Sequence, residues 1–390
     1  MTTTEQQITD WLATQKPAML KMIEEMVNTD SGSYNKAGID RVGAILSRFM
    51  AENGIKVETL KQAKHGDCLR AVGKQQGAPS NRGNIVLMGH RDTVFPDGEV
   101  LRRPYTVSNG KAYGPGVADM KAGLVMNAFV LAAFEKFGGA PSPMVCLFTG
   151  DEEIGSPEGR PVIEAEARNA RVVFNSEPGR VTGNIVSARK GGVFSHFAIE
   201  GKAAHSGGNF QDGISAIGEL AHKIIAIHAL TDLDAGITLN VGLVSGGQSV
   251  NTVAPLAEGQ IDLRYVEPPQ RERIMAEIER IMRTATIPGT RAVLTIRGEF
   301  LPMLQTPAAK AMLEVYKQAA SESGFATDGE FTGGCADSGF TTAMGAPTLC
   351  GVGPVGGKAH SPEEFLDIES IVPRAQAMAR TILRLDQAGV

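Results

Sequence analysis

The stretch Asn84-Ile85-Val86-Leu87-Met88-Gly89-His90-Arg91-Asp92 decides how this chain is read. Four consecutive apolar residues bounded by asparagine and glycine suit a buried strand, and that strand runs straight into three ionisable side chains. Working outward, the same pattern recurs. Met144–Phe148 runs into Thr149-Gly-Asp-Glu152-Glu153, Arg171–Phe174 into Asn175-Ser-Glu177, and Pro347–Cys350 into a glycine-rich turn that ends at His360. Helical patterns lie between these runs, notably Lys121–Phe137 and Pro161–Ala167, and Ile8 to Met50 carries two more. Strands alternating with helices predict an open α/β sheet covered on both faces, a fold that binds ligands beyond the carboxyl ends of its strands.

Residues 190–297 follow a different order: strand (Val193–Glu200), helix (Asp212–Ala229), strand (Ile237–Val244), strand (Glu258–Tyr265), helix (Gln270–Thr286), strand (Ala292–Arg297). This is a split β-α-β, ferredoxin-like pattern. At about 150 residues per domain, 390 residues suggest two or three domains. The pattern narrows this to two: a larger α/β domain from 1–189 and 298–390, and a smaller α+β domain inserted at 190–297.

The 38 basic and 43 acidic residues leave a formal charge of −5, without the basic surplus of a nucleic-acid binder. The apolar stretch Gly123–Phe134 is shorter than the roughly 20 residues of a membrane span, so no membrane association is expected. The N-terminus has neither a basic n-region nor an apolar h-region, and the four scattered cysteines form no C-x-x-C. A cytoplasmic protein with free thiols is expected. Gly351-Val-Gly-Pro-Val-Gly356 matches a dinucleotide-binding pattern in letters only, since no helix follows at once.

A single His-x-Asp or a Glu-Glu pair is ordinarily solvent-facing. Here His90, Asp119, Glu152, Glu153, Glu177 and His360 all follow strand ends or open a helix, so the fold gathers them on one edge. Imidazoles and carboxylates without a thiolate suit a pair of divalent cations of intermediate softness. His222 reads as solvated, and His228, on a helix with an apolar Ile/Leu face, as packing.

Six motifs occur in one order: Gly89-His-Arg-Asp-Thr-Val94, Tyr113-Gly-Pro-Gly-Val-Ala-Asp-Met-Lys-Ala-Gly123, Asp151-Glu-Glu-Ile-Gly-Ser156, Ser176-Glu-Pro178, Gly201-Lys-Ala-Ala-His-Ser206 and Ala359-His-Ser361. In these the chain resembles the co-catalytic zinc peptidases and deacylases, which include glutamate carboxypeptidases, aminoacylases, and acetylornithine and succinyl-diaminopimelate deacylases. It is closest to the glutamate carboxypeptidase branch. The resemblance implies two Zn²⁺ per subunit, with Co²⁺ or Mn²⁺ as substitutes, bridged by Asp119. His90 and Glu177 would complete one site, and Glu153 and His360 the other. Asp92 would hold the second nitrogen of His90, and Glu152 would be the general base. The resemblance further implies a homodimer formed through the smaller domain, His205 reaching from the partner's lid to an oxyanion, and Asn251, Arg264, Gly333 and Gly334 binding a substrate carboxylate. Without the resemblance, His205 reads as solvated and Arg264 as a charge on the sheet surface.

The implied substrate is an N-acyl amino acid or small peptide cleaved next to a free carboxylate. The rivals are a deacylase of the acetylornithine or succinyl-diaminopimelate type and a noncatalytic binder of amino acids or peptides. Asn184 and Glu299 stand where glutamate-releasing members carry basic residues, and Cys335 stands where a third glycine is common. These positions argue against a simple preference for C-terminal glutamate.

Overall fold

The computed structural model describes residues 3–76 and 82–389. Its main sheet has eight strands in the order Lys56–Leu60, Cys68–Val72, Met144–Thr149, Asn84–His90, Ala170–Asn175, Thr348–Cys350, Ile185–Arg189, Gly329–Thr332. The four strands read from the sequence lie side by side at its centre and run parallel, Asn84–His90 between Met144–Thr149 and Ala170–Asn175. Antiparallel partners flank them, so the sheet is mixed. The central strands are buried almost throughout because helices cover both faces, which is why they read as unbroken apolar runs. The outer strands Lys56–Leu60 and Gly329–Thr332 are partly exposed and polar, and give little sequence signal.

The helix Ala122–Lys136 is apolar all round and buried against this sheet from Ala122 to Phe134. Together with the preceding turn, Val117–Lys136 is long and apolar enough to cross a membrane, but 94% of its most apolar window lies inside the protein. The N-terminal stretch forms three helices, Thr3–Thr14, Lys16–Val27 and Lys36–Glu52, where two were expected, because a short break near Gln15 divides the first from the second. Gly351–Gly356 leads into the short strand Gly356–Gly357, which pairs with Phe365–Asp367 and opens no helix.

The chain divides into two compact units, one of residues 1–188, 303–332 and 336–390, the other of residues 189–302 with 333–335. The return to the larger unit comes after Pro302 rather than Arg297, since the strand Arg291–Phe300 stays paired with Gly191–Glu200 to its end. Gly333 and Gly334 group with the smaller unit, where the Arg189 guanidinium donates to the Gly334 and Cys335 carbonyls.

The smaller unit is one antiparallel sheet in the order Thr238–Gly246, Leu256–Tyr265, Gly191–Glu200, Arg291–Phe300. Helices Ala216–His228 and Pro268–Arg283 pack on it around Phe197, Ile261, Leu220 and Ile278. That order is the ferredoxin-like one. His222 is exposed as read, but His228 is exposed too instead of packed, and its Nε2 accepts from the Val241 N–H.

Candidate metal centre

Each candidate ligand sits where a central strand gives out. His90 closes its strand, Glu152 and Glu153 form a single turn after Met144–Thr149, Glu177 follows Ala170–Asn175, and His360 ends the loop after Thr348–Cys350. Asp119 lies in the irregular turn Val117–Lys121 ahead of the core helix. Gly123 lets that helix start close to the neighbouring strand end, because a Cβ there would lie 2.0 Å from the Ser176 carbonyl oxygen. His360 itself sits in the left-handed region at φ 63°, a conformation that concentrates at functional sites.

Two ligand triads result: His90, Asp119 and Glu177, and Asp119, Glu153 and His360. Asp119 serves both. Its Oδ1 lies 3.3 Å from His90 Nε2 and its Oδ2 3.3 Å from His360 Nε2. His90 Nε2 is also 3.8 Å from Glu177 Oε1, and His360 Nε2 is 3.2 Å from Glu153 Oε2. Three protein ligands per triad leave room for water or substrate in each coordination sphere.

The residues suit divalent cations. Burial raises the Glu152 and Glu153 carboxyls above their ordinary range, and Glu153 Oε1 is buried with no hydrogen-bond partner among the described residues. Burial also works to lower the His90 pKa, but Asp119, Asp92, Glu152 and Glu177 together hold it well above that of a free imidazole. Contacts with Asp119 and Glu153 raise His360 to about 10. Buried carboxylates clustered this tightly are costly unless positive charge meets them.

Two further carboxylates hold the constellation. Asp92 is completely buried, with Oδ1 3.3 Å from His90 Nδ1. Its backbone carbonyl is 3.0 Å from the same nitrogen, so Nδ1 must carry the proton and Nε2 is left as the ligand atom. Asp92 also accepts from the Glu152 and Glu153 N–H groups, both at 3.1 Å, and from the Ser33 hydroxyl at 2.7 Å. One side chain thus fixes a ligand of the first triad, a ligand of the second, and Glu152 between them. Glu364, also fully buried, accepts from the N–H groups of Gly116, Ala118 and Asp119 and clasps the turn that presents Asp119. Burial raises its carboxyl to about 7 against those three bonds. Ser33 and Glu364 escaped sequence reasoning, and the only available hint was Glu364 lying four residues beyond His360.

Glu152 belongs to neither triad. Its Oε2 lies 3.9 Å from His90 Nε2.

The model of peptidase family M20/M25/M40 matches residues 86–384. The chain belongs to that family. This M20 peptidase is similar to carboxypeptidase G2 of Pseudomonas sp. (strain RS-16), with 28% identity over 380 residues, covering 95% of this chain and 90% of that protein. Its fold is similar to that of the M20 metallo-carboxypeptidase Sso-CP2 of Sulfolobus solfataricus, with a TM-score of 0.76, 18% identity, and 94% and 99% of the two chains covered. It is also similar to that of YxeP from Bacillus subtilis, a dinuclear metal binding peptidase of the M20 family, with a TM-score of 0.66, 17% identity, and 95% and 98% covered. The M20 peptidase is thus a hydrolase with a candidate dinuclear metal centre.

The remaining candidates lie in the smaller unit. His205 Nδ1 accepts from the Gly207 and Gly208 N–H groups, which leaves the proton of the neutral ring on Nε2. Asn251 is its neighbour through the Ser206 N–H, which donates to the Asn251 carbonyl. The Arg264 fork is already engaged: Nε and Nη2 donate to Asp262 at 2.6 and 2.9 Å, and Nη1 lies 2.8 Å from Cys335 Sγ. The pairing follows from two residues two apart on one strand, side by side on the same face. Glu299 does not stand as a bare negative charge, because the Nε/Nη2 edge of the Arg271 guanidinium donates to both of its carboxylate oxygens. Asn184, in the larger unit, donates to Glu330 and accepts from the Asp328 N–H.

Proposed function

We propose that this M20 peptidase hydrolyses the amide bond of an N-acyl amino acid or small peptide next to a free carboxylate, with two Zn²⁺ ions in the triads and Glu152 as general base. The observation that carries this is a buried carboxylate beside both triads but outside the ligand sets, on the same turn as the ligand Glu153. Two divalent cations there would polarise the scissile carbonyl and make a water more acidic. Glu152 takes that water's proton as the oxygen adds to the carbonyl carbon. It returns the proton to the nitrogen as the C–N bond breaks, leaving a carboxylic acid and an amine. A carboxylate held beside the triads but outside both ligand sets is free to take up and give back that proton.

For His205 the proposed role is donation from Nε2 to the developing oxyanion, in keeping with its tautomer. Asn251, Arg264 and the N–H groups of Gly333 and Gly334 are assigned to the substrate carboxylate. Arg264 does this by sharing or exchanging its bond to Asp262. A homodimer through the smaller unit is supported by the edge strand Thr238–Gly246, where Leu243 and Val244 are 63% and 56% exposed.

Glu152→Gln keeps the size of the side chain and removes the base. With metal content unchanged, kcat should fall at least about 10²-fold, the lower range for positioned acid–base catalysis. Unaltered turnover would overturn the mechanism.

A further inference from the structure

Beside Glu153 the larger unit holds a cavity of about 420 Å³. Two turns form its walls, residues 32–35 and 93–97, and Ile154 closes the side next to the metal centre. The turns are joined at their base. Gly32 bridges Thr93, the Thr93 N–H donates to the Ser31 carbonyl at 2.9 Å, and the Ser33 N–H donates to Thr93 at 3.3 Å. At the rim Asn35 Nδ2 donates to Asp97 Oδ1 at 2.6 Å. Because Asn35 also caps the helix Lys36–Glu52, the wall stands on a rigid element.

The lining has a definite chemistry. Tyr34 is 83% exposed and Val94 42%, unusual for apolar side chains beside a polar centre, and Phe95, Pro96 and Ile154 continue the surface. Its charged members among the described residues are both acids, Glu153 and Asp97, and none of those residues that line it is a lysine or arginine. Arg103, whose guanidinium lies 4.7 Å from the centre of the Phe95 ring, is paired with Glu99 and is not part of the lining. With no cationic side chain in its lining to pair a free carboxylate, the cavity fits the acyl side of the two sides of a scissile amide. Its size falls within the range of small-molecule sites and far exceeds what an acetyl group fills.

We infer that this cavity is the acyl-side subsite of the M20 peptidase, and that Tyr34, Val94, Phe95 and Ile154 select an uncharged apolar acyl group larger than acetyl. A dicarboxylic acyl group such as succinyl is disfavoured, because its distal carboxylate would lie among apolar groups and beside Asp97, with no cationic side chain in the lining to pair it. The inference rests on the amide-hydrolase reading above.

The test uses the zinc-loaded full chain and three substrates sharing one amino acid: N-acetyl, N-(4-methylpentanoyl) and N-succinyl. The last two match closely in size and branching and differ in charge. The 4-methylpentanoyl compound should exceed the succinyl one in kcat/KM by at least about tenfold, a discrimination that apolar pockets commonly reach. Val94→Lys should move that ratio about tenfold towards succinyl, and Tyr34→Ala should lower the 4-methylpentanoyl to acetyl ratio by a similar factor. Both side chains face solvent, so the variants fold, and zinc stoichiometry verifies it. A wild-type preference for succinyl, or ratios unmoved in both variants, would overturn the subsite. If no amide is cleaved, ¹⁹F NMR of 5,5,5-trifluoropentanoate with the zinc-loaded protein still decides. Binding weakened by Tyr34→Ala, with trifluoroacetate as the short control, upholds the apolar pocket but overturns its assignment to the acyl side of these amides. Binding unmoved by Tyr34→Ala overturns the subsite itself.

Discussion

Replacing Asp92 by asparagine should weaken both metal sites together, although Asp92 belongs to neither triad. The side chain has no solvent exposure, and Oδ2 accepts from Ser33 and Glu153 while Oδ1 accepts from Glu152 and faces His90. In the better of the two amide orientations the new NH₂ replaces Oδ2. The Ser33 hydroxyl can turn and accept, but the Glu153 N–H cannot, so one buried donor faces another at a cost of about 1–3 kcal/mol. On the other oxygen His90 exchanges a charged acceptor for a neutral one, a loss of about 1 kcal/mol. The opposite orientation sets the NH₂ against two donors and is worse. The total, about 2–4 kcal/mol, is divided between folding stability and ligand placement, and groups that orient metal ligands typically alter affinity about 10- to 100-fold. Zinc titration against a chromophoric chelator, carried to two equivalents, reads each site separately. Loss confined to one equivalent would refute the argument that a single carboxylate positions His90 and the Glu152–Glu153 turn together, as would affinities within twofold of wild type.

Two other outcomes depend on charge. Chelating the metal should lower Tm, since a cation bound only to the folded state stabilises it by about 4 kcal/mol at 1,000 times its Kd. A thermal melt with and without chelator measures this, and equal Tm values would count against clustered carboxylates that depend on a cation. Asp67, buried between Lys36 at one oxygen and Lys61 at the other, has its carboxyl held well below the ordinary range despite the opposing effect of burial. A depressed folded pKa contributes stability above the unfolded value of about 3.9, and that stability is lost as pH falls through the folded pKa. Asp67→Asn should therefore lower stability at pH 7 and flatten its decline below about pH 4, tracked by urea midpoints at each pH. An acid limb as steep as in the wild type would contradict the pairing.

The central strands were legible because burial on both faces leaves no choice but apolar residues. The ligands at their ends were legible because nothing in a core explains a histidine or a glutamate in that position. The helix and strand pattern of the smaller unit was legible for a similar reason, since alternation and helical spacing persist over ten or more residues there. Ser33 and Glu364 were not. A serine 59 residues from its acceptor and a glutamate binding backbone N–H groups have no period and no partner in sequence. The return to the larger unit was misplaced by five residues, as Gly298 looks like a break but lies at an irregularity within a strand that continues to Phe300. Arg264 shows a different limit. Its partner two residues away was in view, but spacing alone does not say which of two carboxylates, one built in and one arriving with a ligand, an arginine will hold.

The order of the ligands along the chain has a temporal consequence. Ribosomal synthesis delivers His90, Asp119, Glu153 and Glu177 first, then the whole smaller unit, and only afterwards Thr348–Cys350, a central strand of the main sheet, and His360. A growing chain therefore holds every side chain of the first triad while the second still lacks its imidazole. The second triad is thus the last part of the candidate centre to be completed, after every ligand of the first and the whole smaller unit have been made.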